Sequence, residues 1–493
     1  MRLKMLVAAV FGILLLAVTA MAEESAEEYL EKAKLAQKMG DHVKATDLFS
    51  KAVRQGASGG DVFFRRGLSL ERLGKFKEAV QDYSKTLELD PRMETAFNNR
   101  GSAYYRLGEY DKAIKDYSKA IELNQSYGLA YYNRGNAYHG KGDFDRAIAD
   151  FTRSIEIDPR DRDAYNNRGW ALLQRNEVEK SIDDFSRALQ LDPNYLLAYY
   201  NRGNARLKLD DANGAVKDLT RAIELNPDYA LAYFQRGNAH VKKGELDEAI
   251  NDYNRAVRIS PTHADAYNNR GWVFFKKGNI VQAIRDTSKA ITLNPDLPKA
   301  YANRGWIHKS VGECANALPD LNRALELDPN SAPLYAFRAE CLLQMNQPNK
   351  AIKDLERAYS IDPGNPETLL MLGTLKEASG DYEEAVNIFK RLASQRPDDP
   401  ESHCNLGIAL GKKGQIAAAV EEFSRAIQLD PKHRESYLRR GIAYDFLGDP
   451  KRSRADFSRA LSLPEPGGVS LRQPVNAAVL NAIATSRGNG SEK

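Results

Sequence analysis

Residues 94–127 read ETAFNNRGSAYYRLGEYDKAIKDYSKAIELNQSY. Apolar or small side chains fall at Phe97, Gly101, Tyr104 and Leu107, the spacing of one helix face. Gly108 then permits the left-handed turn that ends a helix. A second stripe runs through Tyr110, Ala113, Ile114, Tyr117, Ala120 and Ile121. The stretch predicts two antiparallel helices of about fourteen residues each. The small side chains of Gly101, Ala113 and Ala120 let them approach closely.

Gly101 belongs to a series. Glycine recurs every 34 residues at Gly67, Gly101, Gly135, Gly169, Gly203, Gly237, Gly271 and Gly305. Ala339 takes its place once, and Gly373, Gly407 and Gly441 resume the series, while Ala33 extends it upstream. No insertion or deletion breaks the register. One helix pair is thus copied about thirteen times over residues 26–467. Length alone suggests several domains, but stacked copies share one elongated core. Proline closes the second helix of most repeats, as at Pro91, Pro159 and Pro193; Gln125 stands there in one. Pro298, Pro366 and Pro400 fall where a first helical residue is expected.

The pattern resembles the tetratricopeptide repeat family. That family's motif places an aromatic fourth, Gly or Ala eighth, an aromatic eleventh, Ala twentieth, an aromatic twenty-fourth and Ala twenty-seventh. In the quoted repeat these are Phe97, Gly101, Tyr104, Ala113, Tyr117 and Ala120. The likeness covers residues 26–467. It implies an all-α fold, a right-handed superhelix (α-solenoid) of antiparallel helix pairs, with the first helix of each repeat lining its concave face. Met371, Leu372, His403 and Cys404 mark the last repeats as more divergent.

Arginine precedes the recurring glycine at Arg66, Arg100, Arg134, Arg168, Arg202, Arg236, Arg270, Arg304, Arg338 and Arg440. Such a row invites an anion-binding role. Sixteen residues later, however, stand Asp82, Asp116, Asp150, Asp184, Asp218, Asp252, Asp286, Asp320, Asp354 and Asp456. Where Arg gives way to Leu372, Asp gives way to Ile388; Leu406 with Glu422 is the exception. Positions that change together predict an ion pair inside the stack, a role a guanidinium fills well. Arg202→Leu is then expected to destabilise the fold by stranding Asp218.

Positions two, six, nine and thirteen of the first helix share the remaining side. The sixth is Asn99, Asn133, Asn167, Asn201, Gln235, Asn269 and Asn303 in consecutive repeats. Asparagine is a mediocre helix former, so local stability does not explain the row. Its amide both donates and accepts, and amides spaced along a groove can pair with the backbone of an extended peptide. The arrangement is similar to the asparagine ladder in the superhelix of the O-linked N-acetylglucosamine transferases; only the superhelix is comparable. The alternative is that these amides bond to neighbouring asparagines or to backbone and cover the inner wall. Tyr132, Tyr200 and Phe234 occupy the fifth position; Trp170, Trp272 and Trp306 occupy the ninth, where other repeats carry Asn136, Asn204 and Asn238. Aromatic rings there suit apolar side chains or sugar rings. Basic residues at the thirteenth position, such as Lys208 and Lys242, read as a solvated rim.

The N-terminus carries Arg2 and Lys4, an apolar run from Met5 to Ala20, and the small-x-small triplet Ala20-Met21-Ala22. It predicts a signal peptide over residues 1–22, cleaved after Ala22, and an exported protein, periplasmic or secreted. A membrane role arises only if this segment is retained as an anchor. The formal charge of +4 gives no argument for nucleic acid. Cys314, Cys341 and Cys404 are expected as small core residues rather than a bridge or metal ligands. No phosphate loop, H-E-x-x-H, CxxC or G-x-S-x-G occurs, and the seven histidines are scattered over the register. Neither enzyme, cofactor nor metal is indicated. Residues 468–493 read as a capping helix and a disordered tail. The function expected is a scaffold binding extended polypeptide of other proteins. The second reading is an adaptor in polysaccharide synthesis or export, its aromatic residues on glycan.

Overall fold

The computed structural model describes residues 24–463. The segments read as a signal (1–22) and as a cap and tail (468–493) lie outside them. Among the described residues there are 26 helices and no strand. The chain divides into two compact bodies, one up to Gly244 and one from Glu245.

In the N-terminal body the helices follow as first and second members of successive pairs: α1 (Ala26–Lys38) and α2 (His42–Arg54), α3 (Gly60–Arg72) and α4 (Phe76–Leu89), α5 (Glu94–Arg106) and α6 (Tyr110–Leu123), α7 (Gly128–Gly140) and α8 (Phe144–Ile157), α9 (Arg162–Gln174) and α10 (Val178–Leu191), α11 (Leu196–Lys208) and α12 (Ala212–Leu225), then α13 (Ala230–Lys243). The C-terminal body has α14 (Leu246–Ile259), then the pairs α15 (Ala264–Lys276) and α16 (Ile280–Leu293), α17 (Pro298–Ser310) and α18 (Cys314–Leu327), α19 (Ala332–Gln344) and α20 (Pro348–Ile361), α21 (Pro366–Ser379) and α22 (Tyr382–Gln395), α23 (Pro400–Lys412) and α24 (Ile416–Leu429), α25 (Arg434–Phe446) and α26 (Pro450–Ser462). Within each body the two helices of a pair pack on each other, and each second helix packs on the first helix of the next pair. This is the stacking of an α-solenoid.

The recurring glycine is explained by close approach. A methyl group on Gly135 would lie 2.8 Å from the Phe151 ring, and one on Gly101 would lie 2.8 Å from the Tyr117 ring. The second helix therefore presses its large side chain, sixteen residues on, against bare backbone. Phe151 is fully buried as a result, a burial that stabilises by roughly 1.5–3 kcal/mol.

The turns follow from local chemistry. Gly108 adopts φ +75°, and Asn176, Asp210 and Asn346 take the same left-handed conformation where glycine is missing. Between repeats, Asp90 Oδ1 accepts from Arg92 N at 3.1 Å. Asn124 Oδ1 accepts from Ser126 N at the same distance, so Gln125 in place of proline leaves the turn intact. Helices start at Pro298, Pro366 and Pro400 as expected, and also at Pro348 and Pro450.

Candidate functional site

Building the open face begins by subtracting what is structural. Arg134 forms a two-pronged ion pair, Nε and Nη2 each donating to Asp150 at 2.8 Å. The same geometry joins Arg66 to Asp82, Arg100 to Asp116, Arg168 to Asp184, Arg270 to Asp286, Arg304 to Asp320, Arg338 to Asp354 and Arg440 to Asp456. The hydrogen bonds that Arg100 donates to Asp116 raise its pKa against the opposing effect of burial. Sequence reasoning missed a third partner. Arg134 Nη1 donates to Ser118 Oγ at 2.9 Å, sixteen residues back in the preceding repeat. Ser84, Thr152, Ser186, Asn254, Ser288, Asn322 and Ser424 fill that role elsewhere. Most of these guanidinium groups also lie against the ring three residues before them, as Arg134 does over Tyr131 at 5.6 Å and Arg168 over Tyr165 at 5.6 Å. The arginine thus ties its own pair to the repeat before it. The signal for the third partner was present as a small hydroxyl or amide at the twenty-fifth position.

The exceptions resolve in kind. Leu372 and Ile388 are both buried in apolar surroundings. Where Leu406 replaces Arg, Glu422 instead hydrogen-bonds His403 Nδ1 at 2.7 Å. In the pair α11–α12, Arg206 Nη1 donates to Asp218 at 2.8 Å beside Arg202. Removing Arg202 therefore does not leave Asp218 stranded, contrary to expectation.

The sixth-position amides are engaged with side chains at other register positions, chiefly the fifth. Asn133 Nδ2 donates to Asn98 Oδ1 at 3.0 Å, Asn201 to Asn166 at 3.0 Å, and Asn303 to Asn268 at 2.9 Å. Asn167 donates to the Tyr132 hydroxyl at 3.0 Å and to Asn136 Oδ1 at 2.9 Å. Asn99 and Asn269 accept from their neighbours Asn98 and Asn268, and reach Tyr83 and Tyr253. Asn98, Asn166 and Asn268, at the fifth position, are buried and were missed as partners. The clue was the doublet Asn-Asn at 98–99, 166–167 and 268–269. These bonds form a polar seam between repeats.

Five of the expected site residues meet in one place. Trp170 on α9, Tyr200, Asn201 and Asn204 on α11, and Asn238 on α13 line an open hollow of about 640 Å³. Gln235 joins them, and Asn238 Nδ2 donates to its Oε1 at 2.9 Å. Asn204 Oδ1 is buried and accepts no hydrogen bond among the described residues. Lys208 Nζ donates to the Leu173 carbonyl at 3.3 Å and Lys242 Nζ to the Leu207 carbonyl at 2.9 Å, which holds two cations at the rim. Behind Trp170, the His139 ring stands edge-on to the indole at 5.2 Å, and burial lowers the His139 pKa.

The other tryptophans lie in the C-terminal body. Trp272 meets Trp306 edge-on at 6.2 Å, and Trp306 stacks on Phe337 at 4.3 Å with an interplanar angle of 7°. Lys309 lies 4.3 Å from the Phe337 ring centre and pairs with Glu340. Phe337 stands at the sixth position of its repeat, where asparagine stands elsewhere, and sequence reasoning passed over it.

Family comparisons agree with this geometry. Tetratricopeptide repeat models match residues 60–108, 101–142, 208–244 and 237–278, then 132–195 and 303–366, 264–297, 345–403, 400–433 and 435–465. Among solved structures, YrrB, described as a TPR protein with an unusual peptide-binding site, is 30% identical over 38% of this chain and 96% of its own, with a TM-score of 0.33. MamA is 30% identical over 33% of this chain and 94% of its own, with a TM-score of 0.31. A tetratricopeptide repeat protein from Parabacteroides merdae is 24% identical over 48% and 93%, with a TM-score of 0.41. No curated protein matches the chain. Repeat models tile most of the helical pairs, and the chain belongs to the tetratricopeptide repeat family.

Proposed function

We propose that this protein is an exported scaffold that holds extended polypeptide segments of partner proteins on the open face of its first helices. The coarse part of that reading, a protein-interaction scaffold rather than an enzyme, is what tetratricopeptide repeats imply. The finer part rests on the hollow of α9, α11 and α13. Asn204 Oδ1 stands there as an unused acceptor, suited to a peptide N–H. Trp170 offers an exposed indole for an apolar side chain. The volume of about 640 Å³ suits a short stretch of chain. Composition of residues 1–22 supports export.

Peptide arrays followed by calorimetric titration test this. Asn204→Ala and Trp170→Ala are each expected to weaken a selected peptide by roughly tenfold, with circular dichroism unchanged. A glycan-binding adaptor is the second reading, favoured by the row Trp272, Trp306 and Phe337, in which Trp306 is 46% exposed. Glycan binding abolished by Trp306→Ala, together with peptide binding indifferent to both hollow substitutions, would overturn the peptide reading.

A further inference from the structure

We propose that Cys314 and Cys341 form a reversible disulfide that locks two neighbouring repeats together. Cys314 is the first residue of α18, and Cys341 lies in α19, the first helix of the next repeat. The two thiols are reduced, with their Sγ atoms 2.7 Å apart. A bonded pair lies at about 2.0 Å, so closure needs only a sub-ångström adjustment at the sulfurs.

The register makes the pairing notable. The position of Cys314 carries Phe76, Tyr110, Phe144, Ala212, Leu246 and Ile280 in other repeats, and that of Cys341 carries Ala103, Ala137, Ala171, Val273 and Ile307, so cysteine occupies either position in this pair of repeats alone. Core packing alone does not require sulfur at both.

The surroundings divide the roles. Cys314 sits at the first position of its helix, at the edge of the packed pair. It is the more accessible of the two, 4% against 0% exposed, and lies 2.9 Å from Gln344 Oε1. Cys341 is fully buried, and burial together with Cys314 pushes its thiol pKa up. Cys314 is thus the attacking sulfur and Cys341 the resolving one. The oxidant is a disulfide compound, RSSR. The Cys314 thiolate attacks one of its sulfurs, a mixed disulfide forms, and RSH leaves with a proton. Cys341 then gives up its proton and attacks Cys314 Sγ, and the second RSH departs. Two thiols are oxidised and one RSSR is reduced to two RSH.

The bridge would join the same two repeats that Trp306 and Phe337 span by stacking, and that Lys309 and Glu340 span by charge. Oxidation therefore fixes the spacing of that aromatic row.

The test uses the full chain, reduced, desalted and equilibrated with oxidised glutathione. Remaining thiols are alkylated with N-ethylmaleimide under denaturing conditions, and peptides are mapped by mass spectrometry. The expected result is one linked pair containing Cys314 and Cys341, two hydrogen masses lighter than the sum of its free peptides. Cys404 stays alkylated, and the melting temperature rises until reductant is added. Cys341→Ala is expected to trap glutathione on Cys314. Alkylation of both Cys314 and Cys341 in the wild-type chain at equilibrium would overturn the proposal. So would a glutathione adduct on wild-type Cys314 that never resolves. The wild-type map decides even if the variant does not fold.

Discussion

The first helices α5, α7, α9 and α11 and the first helices α21 and α23 share one register and bury different chemistry. In α5 the buried residues are Ala96, Asn98, Gly101 and Ala103. In α21 burial runs unbroken from Met371 to Glu377, and in α23 from Cys404 to Leu410. The earlier helices are stitched by bidentate arginines and an amide seam. The later ones are packed by leucine, isoleucine and methionine within one extended apolar cluster. Buried charge there is paired: Lys376 Nζ lies 2.7 Å from Glu356 and 2.5 Å from Glu384, and Glu377 accepts from Lys412 at 2.9 Å. Burial disfavours the Lys376 charge, yet Glu356 and Glu384 raise its pKa. The same 34-residue frame thus tolerates two kinds of interior. The polar kind holds only while every member keeps its partner.

The largest effect that tests this contrast is at the ion pair. Arg168→Leu leaves Asp184, whose side chain is 9% exposed, without its guanidinium. A loss of about 3–5 kcal/mol is expected, read by denaturant unfolding with hydrogen exchange to localise it. Arg202→Leu should cost clearly less, because Arg206 still donates to Asp218. The double change Arg168→Leu with Asp184→Ile copies Leu372 and Ile388 and should recover much of the loss. Equal losses in all three variants would mean that the seam cannot be converted.

Next comes the amide seam. Asn201→Leu strands Asn166 Oδ1 and is expected to cost about 1–3 kcal/mol. Asn405, at the same register position in α23, is 1% exposed, and neither its Oδ1 nor its Nδ2 has a partner among the described residues. Asn405→Leu should therefore be neutral or stabilising. Melting curves of the two variants moving in the same direction would break the comparison.

The smallest effects are in pH. His139, in the polar region, has a pKa lowered by burial from 6.5. Its neutral form is the folded one, so its contribution is present above about 6.5 and is lost as pH falls through the lower folded value. His433, which bridges the later repeats, hydrogen-bonds Glu401 at 3.1 Å. Burial opposes its charge, but Glu401 prevails and the pKa is raised above 6.5. Its contribution is full below the unfolded value and is lost as pH rises through the folded one. Stability against pH for His139→Phe and His433→Ala should therefore differ from the parent with opposite slopes near neutrality.

Periodicity alone determined the fold. Helix pairing, the turn glycines, the start prolines and the Arg–Asp pairing are all intervals along the chain, and a repeat compares itself with its neighbours. Contacts that cross from one repeat to the next were harder to see. Ser118 bonds Arg134, Asn98 bonds Asn133, and Cys314 meets Cys341 only because stacking sets one register position against a different one in the next repeat. Likewise the sequence placed a row of amides and a row of aromatic residues on one face without saying which were engaged. The tertiary structure committed sixth-position amides to fifth-position partners of the preceding repeat and gathered Trp170, Tyr200 and Asn204 around a hollow. Which groups remain free for a ligand depends on which are already satisfied within the fold. That is a property of distances in space, and no spacing along the chain encodes it.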